Sequence, residues 1–150
     1  MGGSYIRYNT TMSKAITIET DVASTVTKVW ACWTDPVHIV EWTHASDDWE
    51  CTRAENDLRV GGRFVSTLGA KDKSVSFDFG GVYTTVVEGE EIAYTMDDGR
   101  TARITFEERG DRVHITETFE MEGENSEELQ RGGWQAILDN FKAHVEAHGA

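Results

Sequence analysis

One apolar stripe near the C-terminus limits what this chain can fold into. From Asn125 to His148 the sequence reads NSEELQRGGWQAILDNFKAHVEAH, with Leu129, Trp134, Ile137, Leu138, Phe141 and Val145 as its large apolar residues. Counted from Trp134, the offsets of +3, +4, +7 and +11 trace one face of a helix of period 3.6. Asn125 is placed to cap its start, with Glu128 three residues on to close a capping box. Glu127 and Glu128 fall in the first turn, and Lys142, His144 and His148 toward the last, as the helix dipole favours. A face carrying an indole and a phenyl ring needs a broad apolar partner. Two glycines in a helix interior cost about 1–2 kcal/mol relative to alanine. Gly132-Gly133 are therefore expected to relieve a clash with that partner, or to leave room for a ligand.

The partner is written upstream as alternation. Ala15, Ile16 and Ile18 alternate with Thr17 and Glu19 in a first strand ending near Val22. Strand-like runs follow at Phe64–Leu68 and Val75–Val87, then around Ile92–Met96, Ala102–Phe106 and Val113–Phe119. Asp97-Asp98-Gly99 and Arg109-Gly110-Asp111 are tight-turn signals between them, so these strands form an antiparallel meander. Gly80-Gly81 suggests a bulge or bend in the longest strand. Two short helices sit between the first strand and the meander. Ser24 is the expected cap of Val26, Val29, Trp30 and Trp33, and Asp35-Pro36 restarts a turn carrying Val37, Ile39, Val40 and Trp42. His44 to Leu58 is the least regular stretch. The order is one strand, two short helices, about six strands and one long helix. The reading is α+β: a curved antiparallel sheet covered by the C-terminal helix, with a cavity expected between them.

The chain has 150 residues, enough for one domain with a sizeable core. Residues 1–13 show no periodicity and read as a flexible leader or a cloning remnant, leaving 14–150 as the domain. No apolar run nears the roughly 20 residues that span a bilayer, and no secretory leader is present, so a cytoplasmic location is expected. A net charge of −13 disfavours nucleic acid and anionic membranes as partners. Cys32 and Cys51 belong to no CxxC pair and have no histidine at zinc spacing. They read as reduced, core residues.

Four ordered pieces carry a resemblance: VWACWTDPVHIVEWTHASDDWEC at 29–51, RAENDLRVGGRF at 53–64, FDFGGVYTTVVEGEEIAYTMDDGR at 77–100 and GWQAILDNF at 133–141. Together they resemble the START-like SRPBCC superfamily, in the branch of homologues of the activator of the Hsp-ninety ATPase. The resemblance covers about residues 14 to 148. It implies a helix-grip fold: seven antiparallel strands around a long C-terminal helix, with two short helices closing one end. It also implies binding of apolar small molecules such as lipids, flavonoid-like compounds or polyketides, with aromatic polyketide cyclases as a minority. The chaperone-activating members carry an additional N-terminal domain, which this sequence lacks, so chaperone regulation is the weaker expectation.

The expected ligand-binding residues are Trp42, Trp49, Phe64, Phe79, Tyr83, Tyr94, Met96, Phe106, Glu117, Trp134, Leu138 and Phe141. Glu117 shares parity with Val113, Ile115 and Phe119 and therefore points toward the helix, where a carboxylate is expensive unless paired. It is read as a polar anchor, or as a group near the sheet's end that reaches water or an arginine. Asp78 is expected on the solvent face. His44, Asp47, Asp48 and Trp49 share the irregular stretch, a candidate lid, with Arg53 and Arg59 as possible partners of its acids or of an acidic ligand. For catalysis there is no nucleophile elbow, phosphate loop or Cys–His pairing. No catalytic residue is assigned; a binding protein is expected rather than an enzyme, with a cyclase- or hydrolase-type reaction using Glu117, His44 or Asp48 as the alternative. His144 and His148 share a helix face, but no third metal ligand is obvious, since Glu146 points elsewhere, and no metal or cofactor is expected.

Overall fold

The computed structural model describes residues 14–148. The leader reading of residues 1–13 lies outside these residues. Along the chain run β1 (Ala15–Val22), α1 (Val26–Thr34), α2 (Pro36–Trp42), β2 (Trp49–Asn56), β3 (Arg63–Ala70), β4 (Ser76–Val87), β5 (Glu91–Met96), β6 (Thr101–Arg109), β7 (Arg112–Glu120) and α3 (Glu127–His148). The seven strands form one antiparallel sheet in the order β1-β7-β6-β5-β4-β3-β2. From β2 to β7 this is a plain meander, and β1 closes the far edge by pairing Ala15 with Glu120 through Val22 with Val113. The sheet curls around α3, the helix-grip α+β arrangement.

Local chemistry explains most boundaries. Asp35 caps α2 by accepting from the Val37 amide at 3.0 Å, and Pro36 occupies the first turn, where its missing N–H is harmless. The cap of α1 is Thr25 rather than Ser24, with Oγ1 receiving the Lys28 amide at 3.2 Å. The cap of α3 is likewise one residue later than expected: Ser126 Oγ accepts from the Leu129 amide at 3.1 Å. The Asn125 carbonyl instead receives Gln130 Nε2 at 2.8 Å, and no Glu128 capping box forms. Gly99 and Gly110 take positive φ of 94° and 67° at the two hairpin turns, as those turns require.

Two expectations for the sheet change. The stretch read as irregular contains β2, the edge strand. Its alternation is broken by a register shift between Cys51 and Arg53, and its charged residues Glu50, Arg53 and Glu55 suit an exposed edge. The register shift in β4 falls between Tyr83 and Thr85, not at Gly80-Gly81. Those glycines answer to close approach instead. A Cβ on Gly81 would sit 2.5 Å from the Thr95 carbonyl oxygen and 3.1 Å from the Phe64 ring. Gly132 and Gly133 are the reverse case, since a Cβ on either meets nothing within 4 Å. The expected clash with the sheet does not exist.

The core lies between the C-terminal half of α3, the β1-β7-β6 side of the sheet and α1. Ile16, Val22, Val29, Cys32, Ile104, Val113, Phe141 and Val145 are fully buried there. Trp33 and Trp42 both pack edge-on against Phe141, at ring-centroid distances of 4.8 Å. Trp42 is fastened further by its indole N–H, which donates to the Cys32 carbonyl at 3.0 Å. No helix of the described residues is long and apolar enough to cross a membrane.

Candidate functional site

Along the other half of α3 the helix and the sheet part on one side, and a cavity of about 330 Å³ lies in the gap. Its walls come from α1 and α2 (Trp33, Ile39, Trp42), β2 and β3 (Asn56, Phe64, Ser66), β4 and β5 (Phe79, Tyr83, Tyr94), β7 (Glu117) and α3 (Trp134, Ile137, Leu138). Size and lining fall within the range of small-molecule sites: mostly apolar, with a few fixed polar groups. Aromatic rings form one continuous wall. Trp134 stacks on Phe119 at 3.9 Å and 8°, and meets Phe79 edge-on at 6.0 Å. Phe64 meets Tyr94 edge-on at 4.7 Å.

Glu117 is the exceptional group in this wall. Strand parity places its side chain on the same face as Ile115 and Phe119, and only 7% of its surface is exposed. Its register partners are Ile18 on β1 and Ile104 on β6, which offer it nothing polar. Among the described residues no donor or cation pairs with its carboxyl. Burial alone pushes its pKa up to about 8. A carboxyl in that state holds its proton near neutrality and can both donate and accept. Tyr94 lies in the same wall, its phenol raised well above the usual range by burial first and by Glu117 second.

Tyr83, Asn56 and Arg100 are already committed to other groups. The Tyr83 hydroxyl donates to Asn56 Oδ1, and Asn56 Nδ2 donates to the Thr34 carbonyl at 2.7 Å, so one chain of bonds ties β4, β2 and α1. Burial pushes the Tyr83 phenol far above its ordinary value. Arg100 borders the cavity, but its Nε is taken by Asp98 at 2.8 Å and its Nη1 by the Glu120 carbonyl at 3.0 Å.

Of the residues expected to bind a ligand, Trp42, Phe64, Phe79, Tyr83, Tyr94, Glu117, Trp134 and Leu138 line this cavity. Met96, Phe106 and Phe141 do not. They are buried in the core, where Trp30 and Trp33 pack edge-on against Phe106 at 5.4 and 5.5 Å. Trp49 and His44 line a second, neighbouring cavity of about 260 Å³, which shares Thr43, Leu68, Phe77 and Ile137 with the first. Asp48 borders neither. It is exposed and receives the Ser46 hydroxyl at 2.6 Å. His44, Asp48 and Glu117 therefore do not converge. Arg53 pairs with Glu55 and Arg59 with Asp57, leaving Asp47 and Asp48 without the expected arginines. Asp78 is exposed, where it receives the Thr67 hydroxyl at 2.7 Å.

Sequence reasoning missed Trp33, Ile39, Asn56 and Arg100 as liners. For Asn56 the signal was hidden because β2 was not recognised as a strand. It also missed a convergence at the base of the helices, where Cys32, His38 and His144 bring their ligand atoms within 4.8 Å of one another.

Comparison with known proteins agrees with this architecture. The sequence profile of the family described as Activator of Hsp90 ATPase homolog 1-like protein matches residues 23–146. The chain belongs to this family. The family is a branch of the START-like SRPBCC superfamily, whose fold commonly binds hydrophobic ligands. The solution structure of an AHSA1-like protein from Aeromonas hydrophila is 41% identical, with a TM-score of 0.86 over 91% of this chain and 94% of that one. A solution structure from Cytophaga hutchinsonii is 48% identical, with a TM-score of 0.77 over 89% and 92%. A crystal structure from Chromobacterium violaceum is 25% identical, with a TM-score of 0.80 over 89% and 98%. No curated protein matches. This family member thus has close structural kin, and its site has to be read from its own side chains.

Proposed function

We propose that this protein binds a small, largely apolar molecule in the cavity between α3 and the sheet, with the polar end of that molecule turned toward Glu117. The observation that carries this reading is a carboxyl group buried without a partner in an otherwise aromatic wall. A buried polar group left unpaired costs free energy, and a ligand group that pairs with it recovers that cost. A lipid-, flavonoid- or polyketide-like body would fill the aromatic part, and a phenol or similar group would meet Glu117. The experiment is an amide chemical-shift titration with paired compounds of one aromatic body, with and without a hydroxyl. Shifts around Trp134 and Leu138 are expected for both members, with the hydroxylated one tighter by roughly tenfold, about one well-made buried hydrogen bond. A panel that leaves Trp134 and Leu138 unmoved removes the proposal.

A second reading is acid/base catalysis on such a ligand, as in a cyclase. It is favoured by the Glu117 pKa of about 8, which suits a general acid working near neutrality. Glu117→Gln keeps the shape of the cavity and removes the titrating proton. Turnover of a polyketide-like substrate that survives this change would rule Glu117 out of the chemistry.

A further inference from the structure

The two consecutive short helices α1 and α2 meet the distant α3 at one point. Cys32 of α1 is fully buried there, and His38 of α2 and His144 of α3 are half-buried. Cys32 Sγ and one nitrogen of each imidazole lie within 4.8 Å of one another. His38 Nδ1 and His144 Nε2 are 2.9 Å apart, so one nitrogen donates its N–H to the lone pair of the other and both face the same small volume. We propose that this cluster is a zinc-class metal site, with Cys32 Sγ, His38 Nδ1 and His144 Nε2 as its three protein ligands.

The donor set fits that ion. Two imidazoles and a thiolate suit Zn²⁺, and a site with three protein ligands keeps a fourth position for water. Burial, then the neighbouring His148 and His38, keep His144 in the neutral form that ligation needs. The His148 ring lies tilted beside His144 at 4.4 Å, and its Nδ1 donates to the His144 carbonyl at 2.8 Å. The net charge of −13 draws divalent cations toward the chain. A lone hydrogen bond between two histidines needs no thiol, whereas this cluster has one, and burial holds it protonated until a metal displaces the proton. On binding, the Cys32 S–H bond breaks and one proton leaves to solvent. The proton shared by the two histidines shifts to the outer nitrogen of its own ring, so the balance is one metal bound and one proton released. The bound ion would join α1, α2 and α3 beside Trp42, whose indole already reaches the Cys32 carbonyl and whose ring lines the cavity.

Co²⁺ titration of the full chain tests this directly. A tetrahedral visible spectrum is expected, with a near-ultraviolet thiolate-to-cobalt band, both erased by Zn²⁺ at one equivalent. Cys32→Ser should abolish the thiolate band and Cys51→Ser should leave it. His38→Gln and His144→Gln should each weaken binding by roughly tenfold or more, the loss of one ligand from a set of three. In thermal melts, Zn²⁺ at about 100 times its Kd should raise Tm by roughly 5–10 °C. A spectrum with no thiolate band, or one that survives Cys32→Ser, overturns the site. If Cys32→Ser does not fold, His144→Gln on the half-exposed side decides alone: affinity equal to wild type overturns the proposal, and weakened affinity with an unchanged fold supports it.

Discussion

The two halves of α3 are built from the same apolar stripe and end in different surroundings. From Leu138 to Val145 the stripe is sealed: Leu138, Phe141 and Val145 are all 1% exposed or less, packed by Trp33, Trp42 and the β1 side of the sheet. Around Trp134 and Ile137, beyond the Trp134–Phe119 stack, the opposite wall stands back, and the aromatic rings of β3, β4 and β5 face an open volume with one unpaired carboxyl. Amphipathic periodicity specifies which face of a helix is apolar. It does not specify whether that face meets side chains or space. α3 packs along β1, while the rings of β3, β4 and β5 line the cavity.

The largest expected effect lies in the sealed half. Phe141→Ala should cost about 3–5 kcal/mol in chemical denaturation, because its cavity is walled by rings that cannot collapse into it. Trp134→Ala should cost clearly less, since its ring already borders a void, and should instead weaken binding of an aromatic probe. Equal losses of stability would erase the distinction between the halves.

Glu117 ranks next. Its pKa is raised by folding from an ordinary value near 4.5 to about 8. Between these values the folded state binds the extra proton, so stability falls as pH rises. The loss from about pH 5 to about pH 8 should be on the order of 3 kcal/mol. Glu117→Gln should flatten that slope. A residual slope in the same direction is expected from His114, whose pKa is raised by the Asp21 and then the Glu19 carboxylate. Its contribution is fully present below its unfolded value and lost as pH rises through the folded one. A variant as pH-sensitive as wild type would mean that Glu117 reaches water.

Glycine positions give the smaller tests. Gly81→Ala forces a methyl against the Thr95 carbonyl and should cost about 1–3 kcal/mol while bending the aromatic wall. Gly132→Ala meets open space and should stabilise α3 by roughly 0.5–1 kcal/mol without moving the sheet. A destabilising Gly132→Ala would show that the open half of α3 sits closer to its partner than described.

Much of this could be read in advance, for physical reasons that differ from residue to residue. Period-2 alternation with Asp98-Gly99 and Arg109-Gly110 turns determined the meander, because side-chain alternation and turn dihedrals are local properties. The period-3.6 stripe determined α3, and the parity of Val113, Ile115 and Phe119 determined that Glu117 points inward. What local pattern could not carry was distance. Phe106 and Phe141 look like Phe64 and Phe79 in sequence, yet the first pair is core and the second lines a cavity. The tryptophans of α1 and α2 cover the first pair, and nothing covers the second in the same way. β2 stayed hidden because its Cys51–Arg53 register shift and charged edge remove the alternation that marks a strand. The meeting of Cys32, His38 and His144 was invisible for the same reason: His38 and His144 are 106 positions apart, and nothing short of three packed helices brings their rings to 2.9 Å. The sequence by itself determined which faces must be buried. The tertiary structure alone decided which of them met a neighbour and which were left facing open space.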